Sequence, residues 1–306
     1  MANSLEMVKK YLLQIASEKY GYGSLTAMLD GNYREAGSAL IGADTVMIPK
    51  MSVSGLINYS RANGYGEKGD INLSWVPYKL TQDRGRMFAL DAMDADEAAI
   101  TIAQAISKFE EDMVVPEVDA YRFAKYATGA GNKKAASLTK TTVVSAIDEA
   151  EQVFRDTGIN INNSILFMSA ACYTLLKNAT DTGRWTTGQV INRNVQMFDE
   201  MQIQIVPSSR FYTEITLNTE GAGGYIPKAE TGKAINFMLV NKGAVFQCVK
   251  HNVSKIISPE ANQTADGWLA GYRLYHDAFV VNGKEKGIYA HTVAYEEIRG
   301  DSEVCM

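Results

Sequence analysis

Four carboxylates fall close together at Asp91, Asp94, Asp96 and Glu97, and hard cations are held by oxygen sets of this kind. The spacing lacks the central glycine and distal glutamate of a calcium-binding loop, and the group directly precedes a helical pattern. Helix capping explains it better, because Asp accepts hydrogen bonds from the free amides of a first turn and carboxylates meet the positive end of the helix dipole. His251, His276 and His291 have no paired spacing with one another or with Cys172, Cys248 and Cys305, so no zinc site is expected. The odd set of cysteines reads as free thiols of a reducing compartment, with Cys172 among apolar neighbours as core rather than nucleophile. Gly221-Ala222-Gly223-Gly224 lacks the lysine and hydroxyl residue that complete a phosphate-binding loop, and reads as a mobile loop. No Gly-x-Ser-x-Gly occurs, and Lys133-Lys134 reads as a solvated turn whose two charges would add little to a contact with nucleic-acid phosphates. No catalytic residue, cofactor or metal is assigned, and the chain reads as a non-enzyme.

With no chemistry to position, the patterning has to explain what the chain is for. Its 306 residues are 46% hydrophobic, enough for a substantial core in two lobes. A net charge of −5 and a pI near 5.4 argue against gripping nucleic acid over a basic face, though not against enclosing it. The first twenty residues carry charges throughout, unlike a signal peptide, and no stretch approaches the length of an apolar membrane span.

The organising element is Arg84 to Tyr126, read as a strand, an acidic turn and one long helical run. Ala99, Ile102, Ile106, Phe109 and Met113 fall at spacings of three and four, a narrow apolar stripe. Pro116 marks an end, a kink or a junction in that run. At roughly 30 residues and 1.5 Å each, the helix is a spine for other elements. Before it, residues 1–43 hold one modest amphipathic helix and too few large apolar residues for a core, so they read as an arm lying on something else. Thr45–Leu80 reads as two long strands around a glycine-rich tip, with Ile71, Leu73 and Trp75 alternating with Asn72 and Ser74 to make an apolar face. A two-stranded ribbon is marginal alone in water, so this one needs a partner surface, and its length favours a neighbouring subunit.

After the spine, a helix at 142–155, a buried strand at 165–168, a helix at 171–179 and strands at 201–207 and 235–240 make an inserted α/β lobe. Four strand signals follow, at 244–249, 253–257, 271–281 and 287–293, with Asn282-Gly283 as a hairpin turn between the last two. They are expected to form a sheet packed on the spine.

The order of an extended hairpin, DRGRMFALDAMDADE, a long helix ending VVPEVDAYRFAKYA, then INFMLVNKGAVFQCVKHNVSKIISP and DGWLAGYRLYHDAFV with GIYAH, resembles the major capsid protein of tailed bacteriophages, a fold shared with encapsulin shells and the herpesvirus capsid floor. The resemblance spans Thr45 to His291 and implies an α+β fold. It implies an N-terminal arm at 1–43, an extended loop at 44–90, a peripheral domain with the spine helix at 91–140, an axial domain at 141–243, and the peripheral sheet and C-terminus at 244–306. It implies a structural subunit, made in the bacterial host cytoplasm, that self-assembles into pentamers and hexamers of an icosahedral virion shell around double-stranded DNA, without sequence-specific binding or a membrane. Scaffold, portal and decoration proteins would be separate partners. Asn58, Lys68, Trp75, Arg84, Arg86, Glu110 and Glu111 are the expected assembly contacts. Some relatives weld subunits through a lysine–asparagine isopeptide bond. Lys50, Lys68, Lys79 and Asn282 are of the right types, but no matching glutamate is identified. Two alternatives stay open: an encapsulin-like compartment filled with protein cargo, and a cytoplasmic α+β enzyme or binding protein.

Overall fold

The computed structural model describes residues 23–30, 39–41, 44–62, 68–91, 106–179, 196–264 and 267–294. The acidic group from Asp94 to Glu97, the stripe residues Ala99 and Ile102, the first helix and Cys305 lie outside them.

Strand β1 (Ala39–Ile41) pairs with β2 (Thr45–Val53), which pairs antiparallel with β3 (Ile71–Lys79) to form the expected ribbon. β4 (Gln82–Asp91) continues from the ribbon base. The spine follows. One α-turn at 106–109 passes into a π-helical segment, Glu110–Val114, and then into α1 (Val115–Gly129). The helix therefore does not end at Pro116. The Val115 amide reaches back to the carbonyl of Glu110, and the wider π turn accommodates a following residue that has no N–H and would crowd an α-helical carbonyl. The inserted residue also rotates the faces. Met113, expected in the buried stripe, is exposed, while Glu110 and Val114 turn inward.

Strand β5 (Asn132–Ala135) contains Lys133 and Lys134, so these are edge-strand residues rather than a turn, and Lys134 pairs with Glu149. Helix α2 (Val143–Asp156) buries Ile147, Ala150, Glu151 and Phe154, as their spacing predicts, while Val143 and Ala146 complete the face and Val144, expected on it, is half-buried. β6 (Ser164–Ser169), α3 (Ala170–Ala179), β7 (Met197–Phe198) and β8 (Met201–Val206) follow. β9 (Ile215–Leu217) and β10 (Tyr225–Pro227) pair antiparallel, so the glycine-rich stretch closes a small hairpin, with Gly221, Gly223 and Gly224 at positive φ. β11 (Ile235–Asn241), β12 (Val245–Ile257), β13 (Gly267–Val280) and β14 (Ile288–Thr292) complete the described chain.

Two sheets organise the body. A six-stranded sheet has the order β5-β14-β11-β6-β8-β7, and a three-stranded sheet the order β12-β13-β4. Residues 244–257, expected as two strands, form one, with a register shift between Val249 and His251. β14 leaves the neighbourhood of β13 to pair with β11 and β5. Asn282-Gly283 is therefore a crossover between sheets and not a hairpin turn. The predicted packing on the spine holds for the three-stranded sheet, where Val114 and Val118 lie against Tyr272 and Leu274. On the other side, Phe123 meets Phe167 and Phe211 edge-on at 5.1 and 5.0 Å, joining the spine to the six-stranded sheet. The spine thus sits between the two sheets and belongs to both cores.

Candidate assembly surface

Directly opposed residues of an antiparallel pair share a face, and side chains alternate along each strand. In the ribbon Pro49 opposes Trp75, Met51 opposes Leu73, and Val53 opposes Ile71. These six make one apolar face; Lys50 opposite Ser74 and Ser52 opposite Asn72 make the other. The apolar face is open. Ile71 is 74% exposed, Val53 67%, Met51 65%, Leu73 53% and Trp75 46%. Beyond β2, Leu56, Ile57 and Tyr59 are exposed as well. Contiguous exposed apolar faces are uncommon on monomeric proteins, and this one is a candidate interaction surface. Covering the five strand residues would contribute on the order of 5 kcal/mol, similar to the lower range of association costs. One such contact alone would be marginal.

The base of the ribbon is treated differently. Val46 and Leu80 are buried with Phe246 and Cys248. The Leu80 amide donates to the carbonyl of Asp44 at 2.7 Å, and Lys79 pairs with Asp44 at 3.2 Å. The Tyr78 ring lies 5.2 Å from that of Phe279, and its hydroxyl accepts from the Asn282 amide at 2.9 Å. Lys50 Nζ donates to Asn282 Oδ1 of its own chain at 3.1 Å, an exposed hydrogen bond. Thr81 donates from both N and Oγ1 to Asp277 Oδ2 at 2.8 Å. The ribbon thus leaves the body from a fixed root.

The remaining expected contacts divide into three groups. Asn58 and Lys68 are exposed near the tip, and Glu111 is exposed on the π segment. Arg84 is committed inside the chain: its Nε and Nη2 donate to both Glu117 oxygens at 2.6 and 3.0 Å, and Nη2 also donates to the Asn218 carbonyl. Arg86 Nη1 donates to the Gly221 carbonyl at 3.1 Å. Both arginines line a cleft of about 570 Å³ between β4, the π segment and the 218–224 loop. Glu110, at 2% exposure, is turned into the fold and is not a surface contact in this conformation. The π turn that buries it has no sequence signal apart from the nearby proline. Sequence reasoning also missed Asn282 and Tyr78 as the root's fastenings, because they are more than 200 residues apart.

Cys172, His276 and His291 are buried. Burial pushes the Cys172 thiol up to about 12, so it stays protonated and inert. Burial, then Arg122 and Arg84, holds the His276 imidazole down to about 3. Burial and Lys134 hold His291 to about 4 against a smaller opposing effect of Glu149. Among the described residues no group of three or more His, Cys, Asp or Glu side chains could hold a metal ion.

No family model matches the chain, and no curated protein matches its sequence. Solved structures match its fold. The capsid structure of the Cyanophage P-SCSP1u aligns with a TM-score of 0.58 at 12% identity, covering 84% of this chain and 85% of that one. The asymmetric unit of the bacteriophage PhiM1 mature capsid aligns at 0.59 and 12% identity, covering 83% of each. A virus-like particle from Pyrococcus furiosus aligns at 0.52 and 10% identity, covering 92% of this chain and 98% of that one. The fold is the α+β phage capsid fold anticipated from the sequence.

Proposed function

We propose that the chain is the structural subunit of a closed shell, the major capsid protein of a tailed phage, which assembles into pentamers and hexamers around double-stranded DNA. The observation that carries this reading is the ribbon: a rooted projection whose apolar face is uncovered in the isolated chain, on a fold shared with capsid chains. The face lies on an adjacent copy's spine region, with Met51 and Leu73 at its middle and Trp75 nearest the root. Residues 24–30 and 39–41 of the expected arm are instead held by their own chain. Heterologous contacts of this kind close into rings when the rotation allows. The shell locates the protein to the virion. Its acidic charge fits a container, since a strongly basic lining would hold back the packing and release of DNA. Scaffold, portal and decoration proteins are its expected partners.

Sedimentation and electron microscopy of the purified chain test this. Large closed particles are expected, and a wild-type chain that stays monomeric under assembly conditions counts against the reading. A second reading, an encapsulin-like compartment with protein cargo, keeps the same shell fold, which this chain also shares with a virus-like particle from Pyrococcus furiosus. Particle diameter and nuclease-protected DNA content separate the two.

A further inference from the structure

Residues 24–30 form a short strap across the spine, irregular apart from one 3-10 turn at Ala27–Leu29, yet Ser24, Thr26 and Leu29 are buried. One carboxylate holds it. Asp119, fully buried on α1, accepts at Oδ1 from Ser24 Oγ at 2.7 Å, Thr26 Oγ1 at 2.8 Å and Thr26 N at 3.3 Å. Its Oδ2 accepts from Leu25 N at 3.0 Å and faces Arg210 Nη1 at 3.5 Å. One helical turn on, the fully buried Arg122 donates to Thr26 Oγ1 at 2.9 Å and pairs with Asp30 at 3.4 Å. From β12, Gln247 Nε2 donates to the Thr26 carbonyl at 3.3 Å. Leu29 then enters the core beside Phe123 and Tyr126.

A buried ion cluster adds little net stability, because desolvation offsets the attraction and apolar residues of the same volume hold segments together as well. What this cluster supplies is register. Both oxygens of Asp119 are satisfied by two successive backbone amides and two hydroxyls of the strap, an arrangement that one alignment provides. Sliding the strap by one residue would leave a carboxylate and a guanidinium buried without those partners, which a low-dielectric interior strongly disfavours.

We propose that Asp119, supported by Arg122, is the anchor that fixes the register of residues 24–30 on the spine, and that copies assemble only with the strap held in that register. Asp119 is a positioning residue, acting through the strap. The anchoring stands on this geometry alone; the assembly role rests on the shell reading.

Hydrogen–deuterium exchange on the full chain, unassembled, tests the anchor. Asp119→Asn is expected to raise exchange at residues 25–30 at least tenfold while β6 and β11 stay protected. Unchanged exchange at 25–30 overturns it. Where Asp119→Asn does not fold, Ser24→Ala/Thr26→Val loosens the strap without touching the spine, and retained protection there overturns the anchor equally. Particle yield by sedimentation tests the assembly role. A freed strap with wild-type particle yield removes the assembly role and leaves the shell reading intact. Failure of the wild-type chain itself to form particles removes the shell reading and leaves the anchor standing.

Discussion

The strap at residues 24–30 and the distal ribbon at residues 51–75 both lie at the margin of the body, and the chain handles them oppositely. The strap is polar, yet it is buried and tied by hydrogen bonds to charged groups with no solvent exposure. The ribbon is apolar on one face, yet that face is left in water and only its root is fastened. Polar contacts with exact partners specify a single geometry, which suits a segment whose neighbour is always its own chain. Apolar area is non-directional and tolerates sliding and bending, which is what the proposed contact with other copies around a shell would require.

The strongest way to break this comparison is to empty the ribbon face. Leu73→Ala/Trp75→Ala is expected to reduce particle formation by tenfold or more, while the melting temperature of the free subunit moves little, since exposed substitutions are usually within about 0.5 kcal/mol. Wild-type particle yield would show that the face is not a clamp. Deleting Asn58–Asp70 is expected to act in the same direction. Next in size, Phe123→Ala should destabilise the subunit by about 3–5 kcal/mol in chemical denaturation, because it removes the ring that joins spine, strap core and six-stranded sheet. A loss below about 1 kcal/mol would mean that the two sheets do not share a core through the spine.

Acid should separate the regions more gently. His276 and His291 are neutral in the folded body, with values near 3 and 4 against 6.5 for the free side chain. Between those values the unfolded chain binds more protons than the folded one, so stability is full above about pH 6.5 and falls as pH drops towards 4. Asn236 Nδ2, 3.2 Å from His291 Nδ1, donates to that nitrogen in the neutral ring. His291→Gln should flatten the fall of melting temperature between pH 7 and 5, and an unchanged slope would clear His291 of the effect. The ribbon contains no histidine, so its face should not respond through this route. The smallest expected effect is at the root. Tyr78→Phe loses one exposed hydrogen bond, about 0.5–1 kcal/mol, and should loosen exchange at Asn282 before it alters particle yield.

Much of the fold was legible in the sequence because it rests on local periodicity. The ribbon's alternation, the amphipathic α2 and the buried runs of β6 and β11 each arise from neighbours in sequence, and the structure forms them within a residue or two of the expected limits. Strand partnership was less legible. β13 and β14 look like a hairpin around Asn282-Gly283, but β14 satisfies its backbone by joining β11 and β5 in the other sheet. The ribbon face was half visible: alternation revealed an apolar side, while only the register showed that Met51 and Val53 share it with Leu73 and Ile71.

By itself, the sequence determined where most helices and strands form and that the long hairpin has one apolar side, because these depend on residue type and short spacing. Tertiary structure alone decided which buried charges meet. Asp119 reads as an ordinary polar position of a helix until Ser24, Leu25 and Thr26, more than 90 residues earlier, close on it. It decided that Glu110 points inward, since one extra residue in a helical turn rotates every side chain before and after it relative to the other. And it decided that the ribbon's apolar side stays uncovered, because exposure is a property of what lies opposite a face, which no run of neighbouring residues can state.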